Sequence, residues 1–263
     1  GKMYAVHLKP HGATYTAEFE EFMAAQPLPL TDLEIHPDGS MYVAIGGRRV
    51  QSGLYRVSYF GKESTAPSPG IRGGEKERQL RHQLEKWHRV QSPEAILQAW
   101  RHLGSNDRAI RYAARVAIEH QPVENWYGLA ISEADPQAKL AALIALARVG
   151  QGKPEMLNHL LSALRTFDYA KLSRQQKLDL IRAYSLTIIR HGGGYPNKMT
   201  DAQRSQVVAQ LDSHFPAKTA EENIELSQLL ANVGSPNIAK NGVEALLDAA
   251  SQQEQIALAK NLR

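Results

Sequence analysis

The chain has 263 residues, 43% hydrophobic and 22% charged, an ordinary globular balance that excludes wholesale disorder. No apolar run approaches the roughly 18 residues of a membrane span, and 31 Lys and Arg against 27 Asp and Glu leave only +4, too little to assign a nucleic-acid partner from charge alone. Cysteine is absent, which excludes disulfides, thiol nucleophiles, cysteine-ligated zinc and haem attached through CxxCH.

The opening Gly1-Lys2-Met3-Tyr4-Ala5-Val6 reads as a tag remnant running into a strand, with no basic-then-apolar leader, so the chain is expected to be an excised piece of a longer protein. Thr14 to Phe22 follows as a strand with an irregularity, because its aromatics fall on odd and even positions in turn. Asp32 to His36 and Ser40 to Ile45 alternate with period two around the turn Pro37-Asp38-Gly39. Gly53 to Tyr59 alternates likewise, after the loop Gly46 to Ser52. These strands predict one small antiparallel sheet over residues 1–62, with a naked face that must pack on something.

Thr65-Ala66-Pro67-Ser68-Pro69-Gly70 and Gly73-Gly74 make 63–74 a linker. From 75 to 263 the period is helical, and about ten helices are predicted. Ser92-Pro93, Asp135-Pro136 and the boxes Ser173…Gln176, Thr200…Gln203, Thr219…Glu222 and Ser251…Glu254 start them, while Gly104, Gly150, Gly192 and Gly234 end them. Two helices are copies at an offset of 28 residues: Asp107 to Ile118 aligns with Asp135 to Leu146. Asp matches Asp, Arg111 matches Lys139, and Ala113, Ala114 and Ala117 match Ala141, Ala142 and Ala145, with a short helix from Val123 to Ile131 between. An Asp cap, a basic residue four on and small residues thereafter resemble a HEAT-type repeat. Leu230 to Gly234 matches Leu146 to Gly150 as a later, degenerate copy. The fold expected is mainly α with a small β part, a propeller-blade-like sheet followed by an α-solenoid of HEAT-like helix pairs.

Candidate sites are sparse. His7 and His11 have metal-like spacing, but Pro10 intervenes and no third ligand follows. His82 and His88 flank Trp87 on a basic helix, which reads first as a solvated amphipathic face; Asp38-Gly39 reads as a hairpin turn before a calcium ligand, and Gly192 to Pro196 as a connection before a binding loop. Gly46-Gly47-Arg48-Arg49 is either an anion grip or a β-bulge whose arginines pair with the helical part. Residues 1–70 carry a net −1 and the remainder +5, with ten basic residues against six acidic over 72–120. Arg108, Arg111 and Arg115 fall on one helical stripe. The residues proposed for an anion or partner are therefore Arg48, Arg49, Arg108, Arg111 and Arg115; no catalytic, cofactor or metal residue is assigned.

Pro27-Leu28-Pro29-Leu30-Thr31-Asp32, His36-Pro37-Asp38-Gly39-Ser40-Met41-Tyr42-Val43 and Gly46-Gly47-Arg48-Arg49 with Gln51-Ser52-Gly53-Leu54-Tyr55-Arg56-Val57 together resemble a closing blade of sorbosone/glucose-dehydrogenase-like β-propellers. These occur in very large secreted proteins of planctomycetes and verrucomicrobia, of the membrane-bound dehydrogenase or haem-binding type, which run propeller, HEAT-like repeats, cytochrome c domain. Ile110 to Ala117 with Glu119-His120-Gln121-Pro122 is similar to that family's helical region. The resemblance implies a periplasmic or secreted setting and a parent that oxidises sugars or alcohols on a quinone and passes electrons to haem c. The arginines that grip the quinone in soluble relatives are missing before Asp32, where Pro29-Leu30-Thr31 stands, so no cofactor is expected on this chain. The expected function is a non-catalytic scaffold joining a propeller to a redox domain, whose partners are other domains of the same parent or another protein. The alternative is a HEAT-like nucleic-acid binder, which would need its basic residues to converge on one face and is disfavoured by the lack of an aromatic series.

Overall fold

The computed structural model describes residues 1–67, 70–150, 155–192 and 199–263. It folds as two compact units, Gly1–Gln79 and Leu80–Arg263.

In the first unit, β1 (Lys2–His11) and β2 (Thr14–Ala24) form an antiparallel hairpin closed at Gly12-Ala13. One face is ionic, with Lys9 on Glu18 and His7 Nε2 2.8 Å from Glu20. The other carries Tyr4, Val6 and Leu8 beside Phe19, which is 70% exposed. The irregular aromatic spacing of β2 is a bulge: the register jumps from Met3↔Met23 to Tyr4↔Glu21, leaving Phe22 without a partner position. The other strands, β3 (Leu30–Ile35), β4 (Met41–Gly47) and β5 (Val50–Val57), form a separate three-stranded meander with Val43 buried at its centre. The single sheet expected from the sequence is thus two ladders. The connection between β2 and β3 contains Pro27 and Pro29. The Asp38 turn is structural. Asp38 accepts from the Ser40 amide and hydroxyl and from Arg56 Nη2 at 2.9 Å, and the Ser40 bonds hold its carboxyl well below the usual range.

The second unit takes up most of α1 (Glu75–Glu85) and then runs as helix pairs. The first members are α2 (Pro93–Trp100), α4 (Tyr127–Ser132), α6 (Met156–Leu164), α8 (Asp201–Leu211) and α10 (Ile238–Asp248). The second members are α3 (Arg108–Glu119), α5 (Pro136–Val149), α7 (Arg174–His191), α9 (Ala220–Val233) and α11 (Gln252–Asn261). The second members stack in a row, α3 on α5 on α7 on α9 on α11, and each also packs on the first member of its own pair. This is the α-solenoid expected. All five row helices are capped by a side chain, from Asp107, Asp135, Ser173, Thr219 and Ser251. Both partners of the capping box form at Ser173 and Thr200; at Thr219 and Ser251 only the hydroxyl half does. Gly234 ends α9 at φ +74°, a left-handed conformation that favours glycine.

The helix expected over 123–131 is instead a 3₁₀ turn (Val123–Asn125) and α4, because Trp126 leaves helical geometry to bury its indole completely. The copied alanines are buried where the helices pack: Ala114 and Ala142 have no exposed surface. Ala142→Leu is therefore expected to cost about 1–3 kcal/mol by overpacking, read as a lowered Tm in a thermal melt.

Candidate anion-binding groove

On α5 and α7, residues two, six, nine and thirteen beyond the cap fall on one side of the helix. On α5 these are Gln137, Ala141, Ile144 and Arg148; on α7 they are Gln175, Asp179, Arg182 and Leu186. With Arg108, Arg111, Tyr112 and Arg115 of α3, they line a groove of about 300 Å³. Its floor is apolar and its walls carry five guanidinium groups. The three arginines picked from the α3 stripe are thus brought together, and two more join them that the sequence did not reveal.

The five differ in how far the protein already uses them. Arg111 Nη1 donates to the Ser105 carbonyl and so ties α3 to the preceding loop. Arg115 pairs with Glu119 one turn on and lies 5.0 Å from the Tyr112 ring centroid. Arg148 Nε reaches the same Glu119 across the α3/α5 gap at 2.9 Å. Asp179, the one acid lining the groove, is held by two carboxamides, Gln175 Nε2 at 3.0 Å and Gln137 Nε2 at 3.3 Å. Arg108 and Arg182 meet no carboxylate among the described residues, and both are exposed. Their charge is available to an incoming anion, to which a guanidinium group can offer two parallel N–H donors.

Arg111 occupies the basic position of the repeat, and the structure shows what that position does. Lys139, its copy, donates to Thr166 Oγ1 at 3.1 Å and lies over Phe167; Lys177, four residues beyond the Ser173 cap, lies over Tyr169 and 3.8 Å from Glu222 of α9. Each stitches its helix to a neighbouring segment. Lys177 escaped the sequence reading because the connection before it is longer than the 28-residue offset allows.

The remaining candidates are placed elsewhere. Arg48 and Arg49 form the two-residue turn between β4 and β5, at the tip of the first unit, with both side chains exposed; the register shift beside Gly46 is the bulge anticipated. His7 engages Glu20, and no group of three metal-ligating residues occurs among the described residues. His82 sits on Glu85, whereas His88 corrects the expectation of a solvated face. It ends a 3₁₀ turn against α3, donates to the Ala113 carbonyl at 2.9 Å and stacks on His120. Most of Gly192 to Pro196 lies outside the described residues; Gly192 ends α7. In the stretch before β4, Thr31 donates to the Ala44 carbonyl and Asp32 accepts from the Leu33 amide. No helix among the described residues is long and apolar enough to cross a membrane.

Beside the groove, the end of α7 docks on the end of α5. Arg190 donates to the Arg148 carbonyl at 2.9 Å and His191 to the Ala147 carbonyl at 3.0 Å. Burial lowers the His191 pKa from its ordinary 6.5, offset by that hydrogen bond and deepened by Arg190. His102 is lowered likewise by burial and by Arg101. The unfolded chain then takes up protons at these sites before the folded one does, so their contribution is present above about pH 6.5 and is lost as pH falls toward the folded pKa values. The Tm is expected to drop between pH 7.5 and 5.5, and by less in His191→Gln; equal drops in both proteins would remove His191 from the account.

No family model matches the sequence, and no curated protein matches it. The crystal structure of an engineered protein is similar to part of the chain, with 16% identity over 71% of this chain and 89% of that one, at a TM-score of 0.40. A likeness that slight carries no argument.

Proposed function

We propose that this chain is a binding scaffold rather than a catalyst, and that the arginine groove of its helical row holds an acidic segment of a protein partner. One observation carries the reading: Arg108, Arg111, Arg115, Arg148 and Arg182, from three separate helices, face one groove in which only Asp179 and the neighbouring Glu119 oppose them. Within the secreted propeller–helix–cytochrome proteins that the sequence resembles, the partner would be another module of the same parent or a protein docking on it.

A nucleic-acid backbone is the second reading, favoured by the same convergence and by Tyr112, 59% exposed on the groove wall. The charge balance favours protein. Glu119 already occupies Arg115 and Arg148, and the corresponding stripe of α9 is Glu221, Glu225, Gln228 and Asn232, which repels a continuing run of phosphates.

The test titrates the full chain with a labelled oligoglutamate peptide and with labelled single- and double-stranded DNA at 50 and 200 mM salt. The peptide is expected to bind, and Arg108→Glu/Arg182→Glu to weaken it by about tenfold or more. Binding of DNA in preference to the peptide, with a loss of about 10³-fold between the two salt levels, would establish the nucleic-acid reading instead.

A further inference from the structure

The row continues past the arginine groove. Between α7 and α9 lies a second, smaller groove of about 80 Å³, and Arg182 lines both. Its walls change character. Ile188, Ile189 and Leu229 supply an apolar wall, Ser185 and Glu225 line it as well, and Gln228 and Asn232 join them with no hydrogen-bonding partner among the described residues. Ile189 is 68% exposed, an aliphatic side chain left in solvent beside the buried Ile188. A water occupies about 30 Å³, so this space suits one side chain rather than a second strand or helix.

Resting on the reading of the first groove as a site for an acidic segment, we propose that the ligand is an extended peptide whose acidic residues lie against Arg108 and Arg182 and which places an apolar side chain, about three residues away, between Ile189 and Leu229. The spacing follows from geometry. Packed helices lie 8–10 Å apart and an extended chain advances about 3.3 Å per residue, so crossing from one groove to the next takes about three residues. The occupant follows from complementarity: guanidinium groups at one end, exposed aliphatic surface at the other, and carboxamides beside it that can both donate to and accept from a peptide unit. A phosphate backbone has nothing to place in that slot, and Glu225 at its wall disfavours one.

The experiment measures fluorescence anisotropy of the full chain with three labelled peptides. Each holds three consecutive glutamates; one has leucine three residues beyond them, one has serine there, and one has leucine eight residues away. The first is expected to bind about tenfold more tightly than the other two, and Ile189→Ser, a change at an exposed position, to erase that advantage while the serine peptide binds as before. Equal binding of all three peptides, or an advantage that survives Ile189→Ser, would overturn the proposal and leave the acidic-segment reading standing. Failure of every peptide to bind would remove both.

Discussion

Trp126→Ala is expected to destabilise the helical unit by about 3–5 kcal/mol, measured by chemical denaturation. The indole has no exposed surface, sits where the chain breaks helix between the 3₁₀ turn and α4, and donates from Nε1 to the Gln121 carbonyl at 3.2 Å. Gln121 is itself a buried junction: its side chain accepts from the Ser92 amide at 2.8 Å and donates to the carbonyls of Val90 and Ala117. Removing the ring opens a cavity beside a network centred on the buried Gln121. Trp126→Phe separates the two contributions, since it keeps most of the apolar contact and deletes the N–H; its cost should be about 1–2 kcal/mol. A Trp126→Ala loss under about 1 kcal/mol would mean that the first two pairs of the row do not meet around this residue.

Glu119→Gln is expected to move stability and binding in opposite directions. The Glu119 side chain is 8% exposed and holds Arg115 and Arg148 from two helices. Breaking such a pair leaves guanidinium charge without a counter-ion, and a loss of about 2–4 kcal/mol is expected, less than for a wholly buried pair because Arg148 retains 41% exposure. The same change deletes a negative charge from the edge of the groove, so oligoglutamate should bind more tightly than to the unaltered chain. Lower stability with weaker binding would show instead that Glu119 is needed to hold the two guanidinium groups in place.

Local chemistry was legible in the sequence and long-range juxtaposition was not. Asp107, Asp135 and Ser173 announce helix starts because a cap is satisfied within three residues, and each forms as expected. The alanines of the 28-residue copy are buried as their size suggested. The split of the strands into two ladders was missed because alternation marks a strand without naming its partner. Arg148 and Arg182 were missed for a related reason. Each stands alone on its own helix, and only the stacking of α3, α5 and α7 makes them neighbours of Arg108.

In the row of second helices, each member leans on the one before and the one after it. Such a stack bends as a spring does, through small rotations shared among its joints, and its stability is a sum over neighbouring pairs. The arginine groove spans two of those joints, α3 to α5 and α5 to α7. A ligand seated there acts as a brace across both, and the amides of three helices, many beyond its reach, should exchange with solvent more slowly together.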